Sequence, residues 1–242
     1  MKLSAITIFE YKKMLLSGKW SMPLILLIAY LAMTYTMAPA GVLNTFSVSS
    51  YVFFLIMLSF SILADSIDAE MINQSILAKC REHIETFYLA KLLAIFIYTI
   101  IGSGIAMLVP VIRYIISGTN FFIRPVSIAD VAIGLILHIL LGMTGAVFGL
   151  ILNSRVIKKR QVAVGIAVLF GIICIVKDAI ISDFHLLQYL LWILPPVSNI
   201  VKKFGEASFF NSSLLPLIAW GIVYLLIEII IYVRSMKKLK FL

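Results

Sequence analysis

The residues best equipped for chemistry are few and scattered. His83, His138 and His185 lie in three separate stretches, with no spacing that would gather them around a metal. In "REHIET" (residues 81–86) Glu82 precedes His83, but no second histidine follows to complete an HExxH pair, and the run reads as one face of an amphipathic helix. No GxxxxGK[ST] loop is present to cradle phosphates and no GxSxG elbow to present a serine. The chain is therefore expected not to be an enzyme, with no catalytic residues and no metal. Cys80 sits in a polar loop and Cys174 in an apolar run, an unpromising disulfide pair. Two ionisable residues fall inside apolar runs, where such residues are functional candidates by default. Glu228 lies six residues before Arg234. It reads either as a polar contact between helices or as a gating group. His138 reads as an interhelical hydrogen bond ahead of a proton relay, because no carboxylate accompanies it.

The elements around these residues are set by composition. Hydrophobic residues make up 62% of the 242, charged residues 13%, and the mean hydropathy is +1.11. So little polar surface excludes a water-soluble domain and makes lipid the solvent for most of the chain. Six apolar stretches approach the roughly 20 residues that a spanning helix needs. They cover about 20–38, 46–64, 92–112, 131–152, 161–176 and 214–233. The expected fold is an all-α integral membrane bundle of six helices forming one domain over residues 1–242. Ser127 and Asp130 supply an N-cap and a first-turn acid for the fourth span. Gly142, Gly145 and Gly149 form a stripe that lets a neighbouring backbone approach.

Charge orients the bundle. With six spans and both termini inside, 15 of the 20 Lys and Arg residues fall on the cytoplasmic side. Arg113, Arg124, Lys177, Lys202 and Lys203 fall outside. The net charge of +9 is thus an orientation signal and implies no nucleic-acid partner. Residues 3–17 mix apolar side chains with Glu10, Lys12 and Lys13, which suits a helix lying in the inner interface. The segment 184–201 is long enough to span, but Pro195-Pro196 breaks it, so a re-entrant or interfacial element is expected. No signal-peptide cleavage pattern follows the basic start.

One loop stands out. Residues 20–64 carry no charge, and then Asp65, Asp68, Glu70, Lys79, Arg81, Glu82, Glu85 and Lys91 arrive together. Loop 65–91 is long for a simple connection, and Ile72, Ile76 and Leu77 recur at helical spacing. A helix with apolar teeth among mixed charges suits docking to a partner.

The order of parts resembles the permease subunit of ABC-2 type exporters, in particular bacterial permeases of bacteriocin and lantibiotic immunity and of phenol-soluble-modulin export. The resemblance rests on the N-terminal elbow-like segment, the six runs and the charged first loop. Glu70, Gln74-Ser75 and "YLAKLL" (residues 88–93) with Lys91 stand in matching places, and so does "WILPPVSNI" (192–200) before the last span. Gln74-Ser75 replaces the family's Gly-Thr, and Ile84 stands about where a turn arginine falls.

The resemblance implies a coupling helix presenting Glu70, Asn73, Gln74, Ser75, Leu77, Ala78 and Lys79 to a separate ATP-binding subunit. It implies no cofactor on this chain, with ATP and Mg on that partner. It further implies a second permease chain, a peptide substrate of amphipathic or hydrophobic character, and residence in a bacterial cell membrane. An ion-coupled carrier and a non-transporting membrane anchor are the alternatives.

Overall fold

A computed structural model describes residues 2–65, 80, 83–152, 156–157 and 159–238. Among these the regular structure is all helical, apart from an isolated bridge between Ala40 and Phe122. The helices are α1 (Leu3–Leu16), α2 (Ser21–Thr34), α3 (Val42–Asp65), α4 (Ile84–Ser117), α5 (Ile128–Ile151), α6 (Arg160–Asp183), α7 (Gln188–Leu191), α8 (Val197–Glu206) and α9 (Leu215–Lys238). Five of them, α3, α4, α5, α6 and α9, are long and apolar enough to cross a membrane. The pair α1 and α2, bent by 69°, makes a sixth if it counts as one broken span. The chain is a multi-pass helical membrane protein.

Two neighbouring helices form the spine. Gly145 and Gly149 of α5 face the backbone of α3 so closely that a Cβ on either would run into the carbonyl oxygen of Phe54 or Leu58. Two backbones can approach this far only where one side has no side chain. Phe53 fills the space one turn away, against Gly142 of α5 and Gly102 of α4. The hydroxyls buried in α3 turn back on their own helix. Ser47 donates to the Asn44 carbonyl at 2.9 Å, Ser50 to Ser47 at 2.7 Å and Ser61 to Met57 at 3.0 Å. They therefore cost little in an apolar interior.

The remaining helices attach to this spine. Tyr51 of α3 donates to the Gly171 carbonyl of α6 at 3.0 Å, and Phe148 of α5 stacks on Phe170 of α6 with centroids 3.4 Å apart. Gly221 of α9 seats Leu140 of α5. α1 lies along α4. Tyr98 of α4 donates to the Trp20 carbonyl at 2.6 Å, where α1 gives way to α2.

Three helices differ in extent from the apolar runs. α2 has 14 residues, roughly 21 Å of helix, which is short of a bilayer core. It stops at Thr34 because the chain turns inward: Tyr35 is buried against Phe121 and Phe122, and Ala40 exchanges backbone hydrogen bonds with Phe121 and Ile123. α4 begins at Ile84 rather than near 92 and continues for 34 residues, about 50 Å. Its early start buries Phe87, Tyr88 and Lys91, and Tyr88 meets Tyr232 of α9 edge to face at 6.0 Å. α6 runs to Asp183 instead of ending near Val176, because Lys177 and Asp178 find polar partners off the helix.

Substituting Gly145 or Gly149 by Leu is expected to push α5 off α3 and lower stability by about 2–3 kcal/mol or more. Gly104→Ala, which meets open space, is expected to have no such effect. Thermal unfolding of the purified variants in mild detergent checks the difference.

Candidate functional site

The two intramembrane candidates have opposite surroundings. His138 is fully buried, and both ring nitrogens are engaged. Nδ1 lies 2.7 Å from the Gly134 carbonyl, which can only accept, so Nδ1 carries the hydrogen. Nε2 lies 3.0 Å from the hydroxyl of Ser49 on α3. That hydroxyl also lies 3.1 Å from the Phe46 carbonyl, so its one hydrogen serves two acceptors. Phe53 sits against the ring with centroids 6.1 Å apart. His138 thus ties α5 to α3.

Glu228 has no such partners. The bundle-facing stripe of α9 is Ile218, Gly221, Leu225, Glu228, Tyr232 and Met236, at the three- and four-residue steps of a packed helix. Glu228 occupies the middle of it and is 4% exposed. Neither carboxyl oxygen has a hydrogen-bond partner. Leu226, Ile227, Ile230 and Ile231 beside it are exposed and apolar, which places this turn of α9 inside the lipid-facing belt. Cys174 of α6 and Tyr224 of α9 lie within electrostatic reach of it. No hydrogen bond or ion pair joins Glu228 to His138.

α6 carries a matching stripe: Ala163, Ala167, Phe170, Cys174 and Lys177. It too buries one charged residue, but this one is satisfied. Lys177 is 5% exposed and donates to the Leu194 carbonyl at 3.1 Å. Next to it, Asp178 accepts from the Ser198 hydroxyl at 3.0 Å, and the Asn199 amide reaches the same carboxylate at 3.0 and 3.1 Å. From the other side Tyr224 of α9 donates to the Ile193 carbonyl at 2.9 Å. Segment 193–199, which contains Pro195 and Pro196, is therefore clasped between α6 and α9. The reason is chemical. Two successive prolines interrupt the helix and leave carbonyls without intrahelical donors, and at membrane depth these must be met by side chains. The aromatic and aliphatic side chains of the preceding stretch, Phe184, Leu186, Tyr189, Leu190, Trp192 and Ile193, are all more than 60% exposed. Cys80 and Cys174 are both free and buried.

At the same end of the bundle Arg124 makes a bidentate pair with Asp130, at 2.6 and 2.8 Å. It also donates to the Ser208 carbonyl at 2.6 Å and lies over the Phe209 ring. Asp130 closes a capping box with Ser127 at the start of α5. At the opposite end Lys237 of α9 pairs with Glu85 of α4.

Glu70, Asn73, Gln74, Ser75, Leu77, Ala78 and Lys79, singled out for partner docking, lie outside the described residues. What is described is where their loop ends: Cys80 is buried in a turn, and the His83 amide bonds its carbonyl at 2.8 Å. No three His, Cys, Asp or Glu side chains gather into a metal-binding group among the described residues. The residues that the sequence reading missed are Lys177, Asp178 and Tyr224. The available signal was a Lys-Asp pair closing an apolar run shortly before a double proline.

Comparison with protein-family models, with curated proteins and with solved structures gives no match.

Lys177→Met keeps the apolar stem and removes the donor to Leu194. It is expected to loosen the clasp by roughly 1–2 kcal/mol. Limited trypsin digestion of the protein in lipid nanodiscs, which exposes both faces, should then cut at Lys202 and Lys203 about tenfold faster than in the parent chain.

Proposed function

We propose that the chain is the membrane permease subunit of an ATP-driven exporter. It moves amphipathic or hydrophobic peptides and is driven by a separate ATP-binding subunit that docks on loop 65–91. The observation that carries this reading is the way α4 leaves that loop. The helix starts at Ile84, four residues on from the buried Cys80, and runs for 34 residues with Pro110 inside it. It is about 50 Å long and exceeds the bilayer core by several turns. Its first turns are wedged between α1 and α9, through Lys237 on Glu85 and Tyr232 on Tyr88. A partner that pushes on the loop would push on the end of a long helical rod gripped by two other helices. A loop that merely joined two spans would need no such rod.

Two further features are in keeping with this reading. α1, bent 69° from α2, is the candidate for the elbow helix. The clasped segment 193–199 lies just before the last span, as does the broken element of such permeases. On this reading the chain binds no nucleotide itself, ATP and Mg belong to the partner, and a second permease chain completes the path. The bacterial cell membrane is the expected location. The ion-coupled alternative loses one of its two groups, since His138 is committed to Gly134 and Ser49.

Purification of the tagged chain from its native membrane in mild detergent is expected to bring down an ATP-binding subunit in stoichiometric amount. Reversing the loop's charge and apolar teeth with Leu77→Glu and Lys79→Glu should abolish that recovery and leave membrane insertion unchanged. A partner retained at full yield by the double variant would remove the docking assignment.

A further inference from the structure

α6 and α9 are the two least enclosed of the five long apolar helices. Each is fixed to the bundle on its own side: α6 packs on α3 and α8, and α9 on α5, α4 and α8. Between them, Cys174 of α6 faces the part of α9 that carries Tyr224 and Glu228. Cys174 of α6 lies in the field of both Lys177 and Glu228. Across one end the seam is closed by the clasp, in which Lys177 of α6 and Tyr224 of α9 hold adjacent carbonyls of residues 194 and 193. Below it sits Glu228, 4% exposed and with neither oxygen bonded.

Such a group stands apart from three other buried ionisable residues of the bundle. Asp130 has Arg124, Lys177 has the Leu194 carbonyl, and His138 has Ser49 and Gly134. A buried carboxyl without donors is stable only while a proton or a cation compensates it, and its retention in an apolar stripe marks a binding or pathway position. Its level along α9 selects the kind of cation. Glu228 lies roughly 9 Å along the helix from Arg234, near one edge of the apolar belt. Exposed Ile227, Ile230 and Ile231 flank it and offer an apolar surface for a tail.

We propose that Glu228 is the docking point for the cationic head of a membrane-dissolved amphiphile, which reaches it from lipid through the seam between α6 and α9. The chemical class is an ammonium or guanidinium carried on an apolar body. The inference deepens the transport reading by naming the charge of its cargo. It concerns this chain alone, so its test needs no ATP-binding partner and can fail independently of the docking assignment.

The test uses the full chain in lipid nanodiscs, with radiolabelled dodecylamine as cationic probe and dodecanol as its neutral match, each corrected for protein-free discs. Expected are saturable binding of the amine well above that of the alcohol, a loss of about tenfold or more in affinity in Glu228→Gln, and near-parent affinity in Glu228→Asp. The amine should also raise the unfolding temperature of the parent chain and not that of Glu228→Gln. Equal binding of amine and alcohol by the parent chain would overturn the proposal and leave a proton as the only occupant of Glu228. So would equal amine binding by the parent chain and Glu228→Gln. Should Glu228→Gln not fold, the parent chain's preference for amine over alcohol and its retention in Glu228→Asp decide the matter.

Discussion

The close approach of α5 to α3 is the contact on which the bundle depends. Gly145 and Gly149 bring the α5 backbone against the carbonyls of Phe54 and Leu58. In lipid no hydrophobic drive pulls helices together, so this backbone contact and the interlocked side chains around it supply the attraction. The Ser49–His138 hydrogen bond then fixes the relative rotation of the two helices. With that pair set, α4 reads its position from Phe53 against Gly102, α6 from Tyr51 and Phe148, and α9 from Leu140. Of the five long apolar helices, α6 and α9 are the most exposed to lipid.

A second constraint operates wherever the helical ladder stops. Lipid supplies no donors, so a broken segment survives only if protein groups take its carbonyls. The double proline after Leu194 creates that demand, and Lys177 and Tyr224 meet it from two different helices. The same act solves the opposite problem for Lys177, whose charge would otherwise be buried without an acceptor. One interaction thus satisfies a backbone that cannot bond itself and a cation that cannot reach water. Glu228, at the corresponding place on α9, receives no such answer.

What could be read from the sequence follows from the range of the interactions involved. The long apolar runs announced the helices, because the demand for roughly 20 apolar residues is local. The Ser127–Asp130 cap was legible, since both partners lie within one turn. So were the break at Pro195-Pro196 and the small-residue stripe of α5. Other features were hidden because their partners are remote. Arg124 looked like one more basic residue on the outer side until its pairing with Asp130 and its reach to Ser208 appeared. Lys177 looked like the end of a short span. Its bond to Leu194, 17 residues on, lets α6 continue to Asp183. α2 looked long enough to span, but the inward turn at Tyr35 depends on Phe121 and Phe122, far along the chain. The difference between Glu228 and His138 could not be seen at all in one dimension. Both are single ionisable residues in apolar runs, and only the presence of Ser49 beside one of them separates the two.

The arrangement has a mechanical consequence for the proposed transport. α4 is long, begins at the loop and is gripped near its start by α1 and α9. The α3–α5 spine resists deformation because its contact is backbone on backbone, with no compliant side chain between. A push delivered at Ile84 would therefore be taken up in the tilt of α4 and α1 against that spine, and would load α9 at the Gly221–Leu140 seat that holds it on α5. α6 would not follow, since it is anchored to α3 by Tyr51 and to α5 by Phe148. The motion would open the seam between α6 and α9, and resistance to it would come from the clasp, whose two hydrogen bonds come one from each of these helices. The seam that such a motion widens is the one that holds Glu228.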